Sequence, residues 1–157
     1  MDFDRPAEAT ESSFFTFHGS YDRSVDKKGR FNLPFRFRQG GPETDEKYVV
    51  TGGADGSLAL LPYSVWIANF NRMRQGEPGP ELRRNLRRMS RASTIVEPDS
   101  QGRIAVNPEI LGRVGITGKV TVVGMVSYME LWDPATLENA EASGEDPDAG
   151  FLDEFYR

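Results

Sequence analysis

The chain has 157 residues, no cysteine, a single histidine (His18) and a formal net charge of −5. That length suits one domain or two small fused ones, and the composition excludes disulfides, thiolate metal sites and a histidine-built metal centre. No apolar run approaches the ~18 residues of a membrane span, and the polar, acidic start shows no secretory signal, so the cytoplasm is the expected compartment.

Residues 1–13 are polar and lack periodicity, as a disordered extension does; the extension is taken to residue 16, and an apolar strand starts across residues 14–17. Tyr21, Arg23 and Val25 alternate with polar residues, and so do Phe31 and Leu33. Two alternating runs around Asp26-Lys27-Lys28-Gly29 predict a β-hairpin, with Gly29 supplying the positive φ of its turn. Residues 48–51 and 58–61 are partner strands across a glycine-rich turn. Trp66, Ile67, Phe70 and Met73 form a helical apolar stripe opening near Pro62 or Ser64. The run Gln75-Gly76-Glu77-Pro78-Gly79-Pro80 breaks that helix, and a second begins near Pro80 with Leu82, Leu86 and Met89 at i, i+4 and i+7. Arg83, Arg84, Arg87, Arg88 and Arg91 cover its other faces. Such a face is solvated, touches DNA or forms a salt-bridged subunit interface.

The second half follows the same plan. Residues 93–96 are a strand, a turn follows, and residues 103–106 return. Asn107-Pro108 reads as an N-cap with proline at the first helical position, opening a short helix through Leu111. Residues 120–123 and 128–132 pair as strands, and Asp133-Pro134 caps another helix in the same way. Residues 141–150 are tail-like, and Phe151, Leu152, Phe155 and Tyr156 share one helical face.

One phrase occurs twice, 73 residues apart: Asp26-Lys27-Lys28-Gly29-Arg30 and Asp99-Ser100-Gln101-Gly102-Arg103. Each is followed by an apolar alternation and a proline. Self-similarity at this distance means one supersecondary unit used twice. Asp26, Asp99, Gly29 and Gly102 have a sufficient reason to recur in the turn itself, where aspartate bonds backbone amides and glycine takes the left-handed position. A turn does not require arginine. If Phe31, Leu33, Ile104 and Val106 are buried, alternation turns Arg30 and Arg103 outward. There an arginine can pair with its aspartate or fork onto a phosphate or a guanine edge. Lys27 and Lys28 add charge at the first tip, whereas Ser100 and Gln101 stand at the second, so the two turns should not bind identically.

Charge is unevenly spread. Residues 130–157 hold nine acids and one base, −8, which leaves +3 for residues 1–129; residues 72–91 alone hold seven arginines and two glutamates. Catalysis finds little support. A carboxylate dyad of Asp26 and Asp99 would have each acid beside an arginine that lowers its pKa, the wrong direction for a shared proton. No cysteine nucleophile, Ser-His-Asp set or phosphate loop is evident. The expectation is a protein that is not an enzyme and takes no cofactor, metal or small-molecule substrate.

With the two Asp-x-x-Gly-Arg phrases, Phe17-His18-Gly19 and Met129-Glu130-Leu131-Trp132, the chain resembles the MraZ family of bacterial transcription regulators over roughly residues 17–140. The resemblance implies an α+β, β-rich fold: two AbrB-like (SpoVT-AbrB) units of swapped-hairpin type forming a pseudo-twofold β-barrel with flanking helices. The units would span 17–66 and 93–138, joined by connecting helices at 67–92 and followed by an acidic tail at 139–157. It also implies a ring of eight or more copies in the nucleoid, bound to G-rich direct repeats in duplex DNA upstream of the division and cell-wall gene cluster, including the regulator's own gene. The DNA-binding motif of the family falls on Asp26 and Arg30 and on Asp99 and Arg103. The competing expectation is an oligomeric protein-binding scaffold or antitoxin-like module.

Overall fold

The computed structural model describes residues 16–38, 47–142 and 154–155. Its strands, numbered along the chain, are β1 (Ser20–Ser24), β2 (Arg30–Asn32), β3 (Tyr48–Gly52), β4 (Leu58–Pro62), β5 (Thr94–Val96), β6 (Arg103–Ala105), β7 (Lys119–Gly124) and β8 (Met129–Trp132). The helices are α1 (Tyr63–Arg74), α2 (Pro80–Arg91), α3 (Pro108–Arg113) and α4 (Pro134–Ala142), with a single 3-10 turn at Phe35–Arg38. The expectations for the N-terminal extension, for Phe14, and for an apolar face made by Phe151, Leu152 and Tyr156 concern residues outside the described set. No helix among the described residues is long and apolar enough to cross a membrane.

Local chemistry accounts for most element boundaries. Asn107 caps α3 by accepting the Glu109 N–H at 2.8 Å, with Pro108 at the first helical position. Asp133 caps α4 by accepting both the N–H and the hydroxyl of Thr136, at 3.2 and 2.8 Å. Helix α1 follows Pro62 without a side-chain cap. The rings of Tyr63, Trp66 and Phe70 stack along it, with centroids 6.4 and 4.8 Å apart. Strands β3 and β4 each bury four consecutive residues, the pattern of strands covered on both faces rather than of an exposed hairpin.

Every strand pairing is antiparallel, and the order of the large sheet is β1-β7-β8-β4-β3-β5, with β2-β6 as a separate two-stranded ribbon. Exchanging β1 with β5, β2 with β6, β3 with β7 and β4 with β8 reverses the large sheet onto itself. The two halves therefore repeat one topology, as the repeated phrase implied. The expected local hairpin is corrected. β1 pairs with β7 and β2 with β6, so each turn sends its two flanking strands to the opposite half. The turn itself is as expected, with the Gly29 N–H bonded to the Asp26 carbonyl at 3.0 Å and that of Gly102 to Asp99 at 2.9 Å. Alternation in sequence specifies which face is buried, but not which strand lies alongside.

The core lies between the ribbon and the large sheet. Phe31, Leu33, Ile104 and Val106 are all buried, packed with Leu60, Val120, Val122, Met129 and Leu131. Phe37, brought in by the 3-10 turn, meets Phe17 and Tyr21 edge-on at 5.4 and 5.3 Å. Phe17 is held by paired backbone bonds with Val126 at 2.8 and 2.9 Å.

The two turn glycines lock the halves together crosswise. Val106 donates its N–H to the Gly29 carbonyl at 3.0 Å, and Leu33 donates to that of Gly102 at 3.4 Å. Both glycines sit at positive φ, +80° and +77°. A Cβ on Gly29 would run into the Val106 carbonyl oxygen, which is fixed backbone, whereas one on Gly102 would run into the Arg38 guanidinium, which can swing aside. Both Gly29→Ala and Gly102→Ala should destabilise by about 1–3 kcal/mol from backbone strain, with Gly29→Ala clearly the worse. Denaturant midpoints of the two variants check the order; equal midpoints would remove the packing distinction.

Candidate nucleic-acid interface

The two Asp-x-x-Gly-Arg phrases fold into devices with matching hydrogen bonds. In the first, Asp26 Oδ1 accepts the backbone N–H groups of Lys28 and Arg30, both at 2.9 Å, and Oδ2 accepts Arg30 Nε at 2.7 Å. In the second, Asp99 Oδ1 accepts those of Gln101 and Arg103, both at 2.9 Å, and Oδ2 accepts Arg103 Nε at 2.8 Å. One carboxylate thus closes the turn and fixes the guanidinium. It takes only Nε, and the terminal Nη groups of both arginines carry no hydrogen bond among the described residues. An arginine held by Nε presents its two outer N–H groups as a preset fork, the geometry that matches a phosphate or the O6/N7 edge of guanine.

The ribbon register places both forks on one surface. Arg30 pairs with Ala105, Phe31 with Ile104, and Asn32 with Arg103. Residues directly opposite share a face, so Phe31 and Ile104 point into the core while Arg30, Asn32, Arg103 and Ala105 form the outer face. Arg30 and Arg103 are diagonal neighbours on it, roughly 7–8 Å apart. Duplication thus yields one composite site rather than two separate ones. Lys27 and Lys28 stand exposed at the tip of the first turn, and Ser100 and Gln101 at the second.

Two contributors lay outside the sequence reasoning. Asn32 faces outward directly opposite Arg103, which only the cross-half register reveals. Arg38 lies against Gly102 in the space a Cβ would take, its Nε buried without a hydrogen-bond partner and its guanidinium 5.5 Å from the Phe35 ring centroid. It brings a second guanidinium, beside that of Arg103, to the second turn. Its sequence signal was weak, because nothing local links Arg38 to a glycine in the other half.

Both aspartates are held below the ordinary carboxylate value of 3.8. The main cause is the backbone N–H of the following arginine, Arg30 or Arg103, reinforced by that arginine's side-chain bond. A depressed pKa contributes stability that is complete above the unfolded value and fades as pH falls through the folded one. Wild-type protein should therefore lose thermal stability below about pH 4, and the Asp26→Asn/Asp99→Asn variant should lose less between pH 5 and pH 3. Melting curves across that window check this; parallel losses would place the acid sensitivity elsewhere.

Comparison with known proteins identifies the family. The family model described as MraZ protein, antitoxin-like, matches residues 89–149, which include the second turn and β8. Proteins named "Transcriptional regulator MraZ" align over both halves. That of Corynebacterium diphtheriae is 31% identical over 88% of this chain and 99% of its own length. That of Mycobacterium sp. (strain KMS) is 32% identical over 90% and 97%. That of Herpetosiphon aurantiacus is 38% identical over 74% and 80%. Relatives that share the whole span of the interleaved halves, and not the second turn alone, establish that the chain belongs to the MraZ family of transcriptional regulators.

Proposed function

We propose that this chain is a sequence-specific DNA-binding transcriptional regulator that reads duplex DNA with the outer face of the β2–β6 ribbon. The observation that carries the proposal is the pair of Nε-anchored arginines on that one face, whose Nη groups carry no hydrogen bond among the described residues. A two-stranded ribbon fits the ~12 Å major groove, where arginine forks onto guanine and asparagine onto adenine. Arg30 and Arg103 are the base-reading residues, Asn32 stands between them, and Lys27 and Lys28 supply phosphate contact and position. The related regulators support transcription as the setting. The target follows the family resemblance: G-rich direct repeats upstream of the division and cell-wall gene cluster, the chain's own gene included. In the same proposal the units 17–66 and 93–138 close their two sheets into a pseudo-twofold barrel, and copies assemble into a ring of eight or more. One ribbon makes few base contacts, and copies facing successive repeats gain effective concentration.

The test is titration of the chain's own upstream region against scrambled DNA. Arg30→Ala or Arg103→Ala should cost ~1–3 kcal/mol per site, more in an assembly that repeats the loss, while oligomer and fold persist. Unchanged operator affinity in the double variant would leave the arginines with turn-building alone. Replacing Lys27 and Lys28 by alanine should weaken all duplexes alike and lower the salt slope by ~0.9 per lost phosphate contact. An absence of DNA binding together with a co-purifying protein would instead favour the scaffold or antitoxin-like module.

A further inference from the structure

Helix α2 carries an exposed row of arginines that the ribbon does not use. Arg83, Arg84, Arg87, Arg88 and Arg91 are exposed, while Leu82, Leu86 and Met89 are half-buried. At 3.6 residues per turn the five arginines fall within one face, opposite the apolar one. The face runs eight residues along the axis, ~12 Å at 1.5 Å per residue. None of the five forms an ion pair or a side-chain hydrogen bond among the described residues, and Glu81 is the only acid in the helix. Arg83 and Arg87, Arg84 and Arg88, and Arg87 and Arg91 are like charges at i,i+4, each destabilising the helix. An anionic occupant would relieve all three pairs at once.

The same chain contains one. Beyond α4, Glu145, Asp146, Asp148, Asp153 and Glu154 give five acids with no base among them. The twelve residues 143–154 reach at most ~40 Å from the end of α4 when extended. Being in the same molecule, they would meet α2 at an effective concentration set by this reach. We infer that the arginine face of α2 is a docking surface for the acidic segment 143–154 of the same chain. Docked there, the segment screens α2 from nucleic-acid phosphates and lowers binding to DNA of random sequence, which depends on phosphate contacts. The ribbon arginines lie outside the contact, so operator binding should be affected less.

The test uses full-length chain with Glu145→Gln, Asp146→Asn, Asp148→Asn, Asp153→Asn and Glu154→Gln, alone and combined with Arg83→Gln, Arg87→Gln and Arg91→Gln. At ~0.01 M salt, where the Debye length is ~30 Å, neutralising the acids should speed amide exchange in α2. It should also raise affinity for a random-sequence duplex at least about fivefold, the lower end of a typical coupling. In the α2 variant the same neutralisation should change neither quantity. In unsubstituted chain, protection of α2 should fall as salt rises toward 1 M, where the Debye length is ~3 Å, a readout that needs no substitution and no DNA. Three results would overturn the docking: α2 exchange indifferent to both salt and the acids; a gain in DNA affinity that persists in the α2 variant; or equal loss of DNA affinity from the α2 substitutions with and without the acids, which would make the face a phosphate contact. None of them bears on Arg30 or Arg103.

Discussion

Everything in this molecule depends on the exchange of strands at the two glycine turns. A three-residue strand such as β2 cannot satisfy its own backbone, and an unpaired buried N–H or C=O is costly. Here β2 and β6 satisfy each other, and each turn glycine gives its carbonyl to an amide of the opposite half. Neither half has a complete ladder without the other. The unit that folds is the pair, even though the unit legible in the sequence is the single repeat. Such long-range pairing forms only after closure of the long loop between Asn32 and Arg103, so the interlock favours a cooperative, all-or-none structure over two independent lobes.

The same constraint builds the site. Because β2 and β6 are antiparallel neighbours, two phrases 73 residues apart in sequence become diagonal neighbours on one face. The core side of that ribbon, Phe31 and Ile104, is fully buried and leaves no freedom to slip by one residue, since a slip would turn both arginines inward and both apolar residues out. Packing therefore fixes the register, and the register fixes the spacing of the forks. The carboxylate adds the last degree of order by taking Nε, which removes rotamer freedom from a long side chain before any ligand arrives.

What could be read from the sequence was what local chemistry decides. The helix starts at Asn107-Pro108 and Asp133-Pro134 were legible because a cap is a contact over two or three residues. The burial of Phe31, Leu33, Ile104 and Val106 and the outward placement of Arg30 and Arg103 were legible from alternation alone. The β3–β4 and β7–β8 pairings were legible too, but the partners of β1, β2, β5 and β6 were not, since a hairpin and a crossed pairing impose the same period of two. Asn32 and Arg38 were missed for that reason: their neighbours, Arg103 and Gly102, lie in the other half. The family resemblance supplied the idea of interleaved units, which no spacing within one repeat could have given.

The symmetry is also broken in a directed way. Two identical halves would present a twofold face, which reads the same in both directions along a duplex and suits a palindrome. Here Asn32 stands opposite Arg103, while the equivalent position opposite Arg30 is Ala105. Lys27 and Lys28 flank one turn, Ser100 and Gln101 the other. Arg38 lies on the second turn, whereas backbone of Val106 occupies the corresponding space at the first. The folding scaffold is thus nearly symmetric and the chemistry on its surface is not. A face of this kind has a polarity, and a polar reader repeated by rotation around a ring meets sites that all point the same way. Under the proposed function, that is what would let the face distinguish a direct repeat from an inverted one.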